Sequence, residues 1–297
     1  MKVIFLGCGY LGHNLSRLLS DEFEISVLSI PSPYTAITEG FAEVNVFDPE
    51  ELKQIDVKDA VVVDSTGLVA NNAVSDDEEA LLKDLLKKYE DLLNVLKEGG
   101  AKRFVYISSG GTVYGSGKER FRETDEIRPE SLYAKSKAYT EEKIRESGID
   151  HLIVRLANPF GGYQDPNKSQ GVIPILIRKA LLGEVFQMWV DGSSIRDYIY
   201  ITDVAEAFRL LIRNDVSNET VNIGSGIGTS LRQVIEEAER CTGRKIRMEY
   251  QTARMPIVDA TVLNTDKLKR LTGFEPCVTF TEGVRLETER IQKELEQ

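Results

Sequence analysis

Histidine is almost absent from this chain of 297 residues, with only His13 and His151 present. A Ser-His-Asp triad or a multi-histidine metal centre has little to build from, so any proton transfer must fall to other side chains. Cysteine is scarce as well. Cys8, Cys241 and Cys277 are odd in number, scattered and without Cys-x-x-Cys spacing, which speaks against a disulfide framework and against a zinc site. Positive charge is in deficit: the formal net charge of -11 leaves no general surplus for nucleic acid or an anionic membrane, and an anionic small ligand would need local arginines. No apolar run reaches membrane-spanning length, and the first residues lead into a strand with no basic segment or cleavage site. The expectation is a reduced, cytoplasmic chain with no metal, no nucleic-acid partner and no membrane partner.

What is present suits an α/β protein. The length and the 41% hydrophobic content allow one large α/β domain with a smaller lobe. Lys2 to Leu6 reads as an apolar strand, followed by Gly7-Cys8-Gly9-Tyr10-Leu11-Gly12 and the amphipathic segment Leu11 to Leu19. Gly-x-Gly-x-x-Gly between a strand and a helix is the dinucleotide-binding context: glycine permits the tight turn, and the helix N-terminus offers amides to a pyrophosphate. A second strand, Glu24 to Leu28, ends at Ser29, where an acid would select the ribose hydroxyls of NAD. Residues 29–36 hold no Arg or Lys for the 2′-phosphate of NADP either, so the reading is NAD with NADP left open. A third strand is expected to end near Asn45-Val46. Ala60 to Asp64 reads as a buried strand running into Ser65-Thr66-Gly67, and Asp76 to Lys97 as a long helix with a solvated acidic face.

The stretch Ser108-Ser109-Gly110-Gly111-Thr112-Val113-Tyr114-Gly115 lies at the end of a short buried strand, Arg103 to Ile107. Strand ends are where open α/β sheets bind ligands. From Ser131 to Ser147 the pattern is helical, with Ser131 placed as N-cap, so Tyr133 and Lys137 stand one turn apart on one face. A phenol is a poor base at neutral pH, but a nearby ammonium favours the phenolate, which makes Tyr133 a candidate proton acceptor.

With these motifs in this order, nearly the whole chain resembles the extended short-chain dehydrogenase/reductase family, and within it the nucleotide-sugar 4-epimerases. The resemblance implies a Rossmann-type doubly wound parallel sheet, residues 1–160, with a smaller, interleaved C-terminal substrate lobe, residues 161–297. It implies that Gly7, Gly9, Tyr10, Leu11, Gly12 and Ser29 hold NAD, with Asn45 and Val46 at the adenine. Ser65, Thr66 and Gly67 would pass beneath the cofactor, and Pro159 would lie near the nicotinamide. Lys137 would bind the nicotinamide ribose. Asn158, Gly171 and Val172 fall where the family meets the nucleotide sugar. Arg196, in Arg196-Asp197-Tyr198, and Arg254 are the implied diphosphate ligands, while Asp197 and Asp203 are structural. The helical runs 76–97 and 131–147 match the four-helix bundle of a homodimer. The catalytic hydroxyl is Ser109 with Thr112 as the alternative, because the turn is one residue longer than the commoner pattern; Ser108 is strand-end structure.

The implied reaction is transient oxidation of a nucleoside diphosphate sugar at C4, with Tyr133 as base. The 4,6-dehydratases of the family carry an acid pair in this turn; Gly110-Gly111 stand here, which disfavours dehydration. An NAD(P)H-dependent 4-keto reductase would use the same side chains. A non-catalytic dinucleotide-binding regulator is the reading from another class.

Overall fold

A computed structural model describes residues 1–165, 171–188, 192–251 and 260–296. The first half contributes β1 (Lys2–Leu6), α1 (Tyr10–Leu19), β2 (Glu24–Ser29), β3 (Phe41–Glu43), α2 (Pro49–Leu52), β4 (Val61–Asp64), α3 (Glu78–Glu98), β5 (Arg103–Ser109), β6 (Lys118–Phe121), α4 (Leu132–Glu146) and β7 (His151–Leu156). The second half contributes β8 (Asn158–Phe160), α5 (Val172–Leu182), β9 (Val185–Met188), β10 (Ile195–Tyr200), α6 (Ile201–Arg213), β11 (Glu219–Ile223), β12 (Gly228–Ser230), α7 (Leu231–Thr242), β13 (Arg247–Tyr250), β14 (Ala260–Leu263), α8 (Asp266–Thr272) and α9 (Phe280–Leu295).

Among the described residues, seven parallel strands form the main sheet in the order β11-β7-β5-β4-β1-β2-β3. Every residue of β4 is buried, as expected of a strand covered by helices on both faces. The two-residue period divides the core: Val3 and Phe5 pack with α1 and α6, whereas Ile4 and Leu6 pack with α3 and α4. The fold is α/β of the Rossmann type. Strand order reverses at β1, since β2 and β3 lie to one side and β4 and β5 to the other, and the crevice at such a reversal is the ligand address of the fold.

A second sheet runs β12-β10-β14-β6, with β8 paired to β10, and α5, α7 and α9 enclose a separate apolar core. The two parts interleave. β11 and α6 return from the second half to the main sheet, while β6 leaves the first half to pair with β14.

One expectation changes. β3 ends at Glu43 rather than near Asn45-Val46, because Asn45 turns the chain: its carbonyl accepts from Asp48 N at 2.8 Å and its Oδ1 from Phe47 N at 3.2 Å, leading into α2. The outward face of α3 is solvated, as expected. Lys83, Asp84, Lys87 and Lys88 are exposed there, with ion pairs along the helix, and apolar surface comes from exposed Ala80, half-buried Leu81 and Leu86, and Tyr139 on α4.

Candidate active site at the sheet edge

The glycine turn is held by contacts that no side chain could occupy. Gly7 has φ +88°, and a Cβ there would lie 2.6 Å from Thr66 Cα. A Cβ on Gly12 would lie 2.2 Å from Gly7 O and 2.7 Å from Ser65 Oγ, so this glycine sets how closely α1 meets the ends of β1 and β4. Gly9 differs: a Cβ there would meet nothing within 4 Å. It is the N-cap of α1 and supplies no side-chain acceptor, so the helix presents its first amides and its positive dipole end to open space. A dinucleotide pyrophosphate fits that space in charge and in hydrogen bonding.

The neighbouring candidates mostly brace this turn. Ser65 Oγ donates to Leu6 O and Gly7 O at 3.0 and 2.9 Å. Ser29 is buried; its hydroxyl accepts from Cys8 N at 3.1 Å and donates to Ile30 O at 2.9 Å, so the residue that ends β2 locks the glycine turn. Asp64 accepts from the amide and hydroxyl of Thr66 and from Tyr89 OH at 2.7 Å, while Gly67, at φ +60°, faces open space. Tyr10 donates to Gly161 O at 2.8 Å, and Leu11 packs on the core beside it. Val46 is buried among Leu28 and Leu52. Both histidines have structural surroundings: His13 is buried between Tyr34 and Tyr163 and meets Thr38 Oγ1 at 2.7 Å, and His151 Nδ1 lies 3.1 Å from Ile149 O.

On the far side of β4, Ser131 caps α4 by accepting from Ala134 N at 3.1 Å, which fixes where the first turn begins. Tyr133 and Lys137 then share a face, and Lys137 Nζ lies 5.8 Å from the Tyr133 ring centre. Lys137 donates to Ile107 O on β5 at 2.8 Å and sits 4.7 Å over the Tyr106 ring. Burial opposes its charge, but Tyr106, Tyr133 and Asp64 outweigh burial and hold its pKa above the ordinary lysine range. The ammonium stays charged beside the phenol. Burial in turn pushes the Tyr106 phenol up to about 12, so that ring is a neutral support.

The turn after β5 separates the two hydroxyl candidates. A Cβ on Gly110 would lie 2.6 Å from Leu263 Cδ1 and 3.0 Å from Arg155 O, so a serine does not fit there. Ser109 is half-buried at the strand end, and the Cβ position of Gly111 lies 3.9 Å from its Oγ and 3.6 Å from Asn158 Nδ2. Ser109 and Asn158 thus border one space. Thr112 Oγ1 is buried without a hydrogen-bond partner. Asn158 also donates to Asp197 O at 3.0 Å, and Pro159 sits opposite Ile199 in the β8–β10 pair.

The remaining candidates lie in the smaller lobe. Gly171 opens α5 at φ +85°, with Gln164 2.8 Å from where a Cβ would stand, and Val172 packs on the lobe core. Arg196 sits on β10 opposite Thr229 and Thr261 and donates from Nη1 to Ile195 O at 2.8 Å. Asp197 accepts from Ser225, Gly226 and Leu263, and Asp203 from Cys277 and Val278, so both are structural. Arg254 falls outside the described residues. A cavity of about 420 Å³ opens beside Tyr198, Thr229, Lys269 and Phe280, but no residue of the sheet edge lines it. Sequence reasoning missed Asp64 with Tyr89, and Glu141 with Arg155. Glu141 could have been found, since it continues the Tyr133–Lys137 spacing by four.

Residues 5–224 match the NAD dependent epimerase/dehydratase family. The chain belongs to this family. NAD is the family's cofactor, and the glycine turn has the form to receive it. Among curated relatives, the dTDP-4-dehydro-6-deoxyglucose reductase of Escherichia coli is 32% identical; the match covers 64% of this chain and 61% of that protein. A putative UDP-glucose 4-epimerase of Methanocaldococcus jannaschii is 28% identical over 96% of each chain. The structure of the Thermus thermophilus UDP-glucose 4-epimerase in complex with NAD superposes with a TM-score of 0.85 at 28% identity, covering 98% of this chain and 99% of that one. The Thermotoga maritima UDP-glucose 4-epimerase with UDP-glucose gives 0.85 at 28% identity over 99% and 100%. No helix of the described residues is long and apolar enough to cross a membrane.

Proposed function

We propose that this member of the epimerase/dehydratase family is a nucleotide-sugar 4-epimerase of the UDP-hexose type that retains NAD through turnover. The observation that carries the reading is the Tyr133–Lys137 pair, held against the end of β5 across the crevice from an uncapped glycine turn. Bound NAD would accept a hydride from C4 of the sugar and return it to the opposite face of the ketone. Tyr133 takes the C4 hydroxyl proton and later gives it back, and the charged Lys137 favours the phenolate between those events. Ser109 donates to the same oxygen, since its site is open whereas Thr112 Oγ1 faces the interior. Asn158, Gly171 and Val172 border the sugar nucleotide, and Arg196 with Arg254 binds the diphosphate. We place the protein in the cytoplasm as a homodimer through α3 and α4; a monomeric mass in light scattering at micromolar concentration would remove the dimer.

A 4-keto reductase is the second reading, favoured by the 32% identity to the Escherichia coli enzyme. Absorbance and mass analysis of cofactor released from purified protein, combined with incubation with UDP-glucose and no added cofactor, separates the two. Retained NAD and formation of UDP-galactose support the epimerase. An empty site that takes NADPH and consumes it with a 4-keto sugar nucleotide supports the reductase. Absence of both activities sinks both readings and leaves the non-catalytic one.

A further inference from the structure

Behind the sheet edge lies a group of charged side chains that the chemistry above does not use. Glu141 follows Lys137 by one turn of α4, so Tyr133, Lys137 and Glu141 form a single stripe. Its carboxylate is fully buried. It accepts from Ser108 Oγ at 2.6 Å, from Arg155 Nε at 3.1 Å and Nη2 at 2.7 Å, and from Arg145 Nη2 at 2.8 Å. Burial pushes the carboxyl up, but Arg155, Ser108 and Arg145 outweigh burial and hold its pKa below the ordinary glutamate range. Glu141 is therefore an ion inside the protein.

The group reaches both the helix that carries Tyr133 and Lys137 and the turn that follows Ser109. Ser108 immediately precedes Ser109 on β5, and consecutive strand residues face opposite sides, so Ser108 is turned to α4 while Ser109 is not. Arg155 on β7 extends to Tyr114 OH at 3.0 Å and stacks 4.8 Å over its ring, and Tyr114 closes the Gly110–Tyr114 turn by donating to Asn222 Oδ1 at 2.7 Å. Successive turns of α4 thus attach to successive residues of β5: Lys137 to Ile107 O, and Glu141 to Ser108 Oγ. A buried ion pair is a weak source of stability, since an apolar pair of the same volume commonly serves as well, whereas it fixes geometry closely.

We propose that Glu141, with Ser108 and Arg155, is a positioning group that sets the height of Tyr133 and Lys137 on α4 relative to Ser109 and its turn. The inference rests on the reading of Tyr133, Lys137 and Ser109 as the working residues. Its consequence is that removing the Ser108 hydroxyl, which touches neither cofactor nor substrate, lowers turnover by displacing the helix.

The test compares Ser108→Ala, Ser108→Thr and Glu141→Gln as NAD-loaded proteins. In Ser108→Ala we expect kcat on UDP-glucose to fall about tenfold or more, the order that misplacement of reacting groups produces, with KM and bound NAD unchanged. Ser108→Thr, which restores the hydroxyl, should return kcat to within about twofold of wild type, and Glu141→Gln should fall at least as far as Ser108→Ala. A merely structural role would instead lower the unfolding temperature and leave kcat in place. A second readout needs no substrate: crystal structures of wild type and Ser108→Ala with NAD should differ in the Lys137 Nζ to Ile107 O contact. If wild type turns over no nucleotide sugar, the functional reading fails, and this second readout alone decides positioning. An unmoved α4, or Ser108→Ala turnover within twofold of wild type, overturns the inference.

Discussion

Two glycines of one turn make opposite demands, and this separates the requirements of the fold from those of a ligand. Gly12→Ala would place a methyl 2.2 Å from Gly7 O and 2.7 Å from Ser65 Oγ, distances that real side chains do not show. The backbone must then move, at a cost of about 1–3 kcal/mol for overpacking. Loss of the two Ser65 bonds adds about 1 kcal/mol each, and the better helix propensity of alanine returns about 1 kcal/mol. A net loss of about 2–4 kcal/mol is expected. Gly9→Ala meets nothing within 4 Å, and its φ of -102° suits alanine. Alanine reduces the freedom of the unfolded chain by about 0.4–1 kcal/mol but is a poorer N-cap than glycine, so the apoprotein should stay within about 1 kcal/mol of wild type. The same methyl projects into the space assigned to the pyrophosphate. NAD affinity should fall at least about tenfold, or ~1.4 kcal/mol. Thermal unfolding of NAD-free protein, followed by calorimetric titration with NAD, reads both quantities. Wild-type NAD affinity in Gly9→Ala would refute the placement of the cofactor over the N-terminus of α1, whatever the fate of Gly12→Ala.

Tyr133→Phe should abolish turnover while keeping NAD bound, since it removes the base and little contact area; wild-type rates in kinetic assay would end that assignment. Arg196→Ala should weaken UDP binding by about 2 kcal/mol, with KM rising more than kcat falls because the diphosphate lies away from the reacting carbon; parallel titration with UDP and NAD tests it, and a selective loss of NAD would contradict it. Acid should expose the Glu141 ion pair. A carboxyl whose folded pKa is depressed adds stability that is present above its unfolded value, ordinarily 4.5, and is lost as pH falls through the folded value. The stability gap between wild type and Glu141→Gln should therefore narrow as pH drops from about 7 to about 3, and a gap independent of pH would refute it.

Much of the main sheet was legible because β1, β2, β4 and β5 are short apolar runs bounded by glycine or polar residues, whereas β11 lies in the segment expected to form the smaller lobe. α4 was legible because Ser131 is a strong cap, and α3 begins one residue after its Asp77 cap, within two residues of its expected start. The crevice could be named from Gly7, Gly9 and Gly12 since glycine spacing is read directly from sequence. Ser29 shows the limit. A hydroxyl at that position reads as a ribose contact, yet its bonds to Cys8 N and Ile30 O exist only once β2 lies beside β1. Arg155 was hidden for a related reason, and Glu141 was marked only by its spacing from Lys137: charged residues read as surface, and their burial depends on α4 lying across β5 and β7. The small sheet was not legible, because β6, β10 and β14 come from distant segments and pair only in the folded chain.

The place of β11 at the edge of the main sheet has a consequence for synthesis. β7 ends at Leu156, yet its outer neighbour β11 is complete only at Ile223, 67 residues later, so the pair cannot form until then. At about 5–20 residues per second, the apolar edge of β7 stands open on the ribosome for roughly 3–13 s. During that interval Leu152, Ile153 and Val154 offer unpaired backbone to any other nascent strand. A chain cut after residue 160 would hold every glycine of the nucleotide crevice and still end on that open edge. Chaperone demand should therefore peak before the last quarter of the chain is made, and coexpression of residues 161–297 in trans should rescue the solubility of residues 1–160.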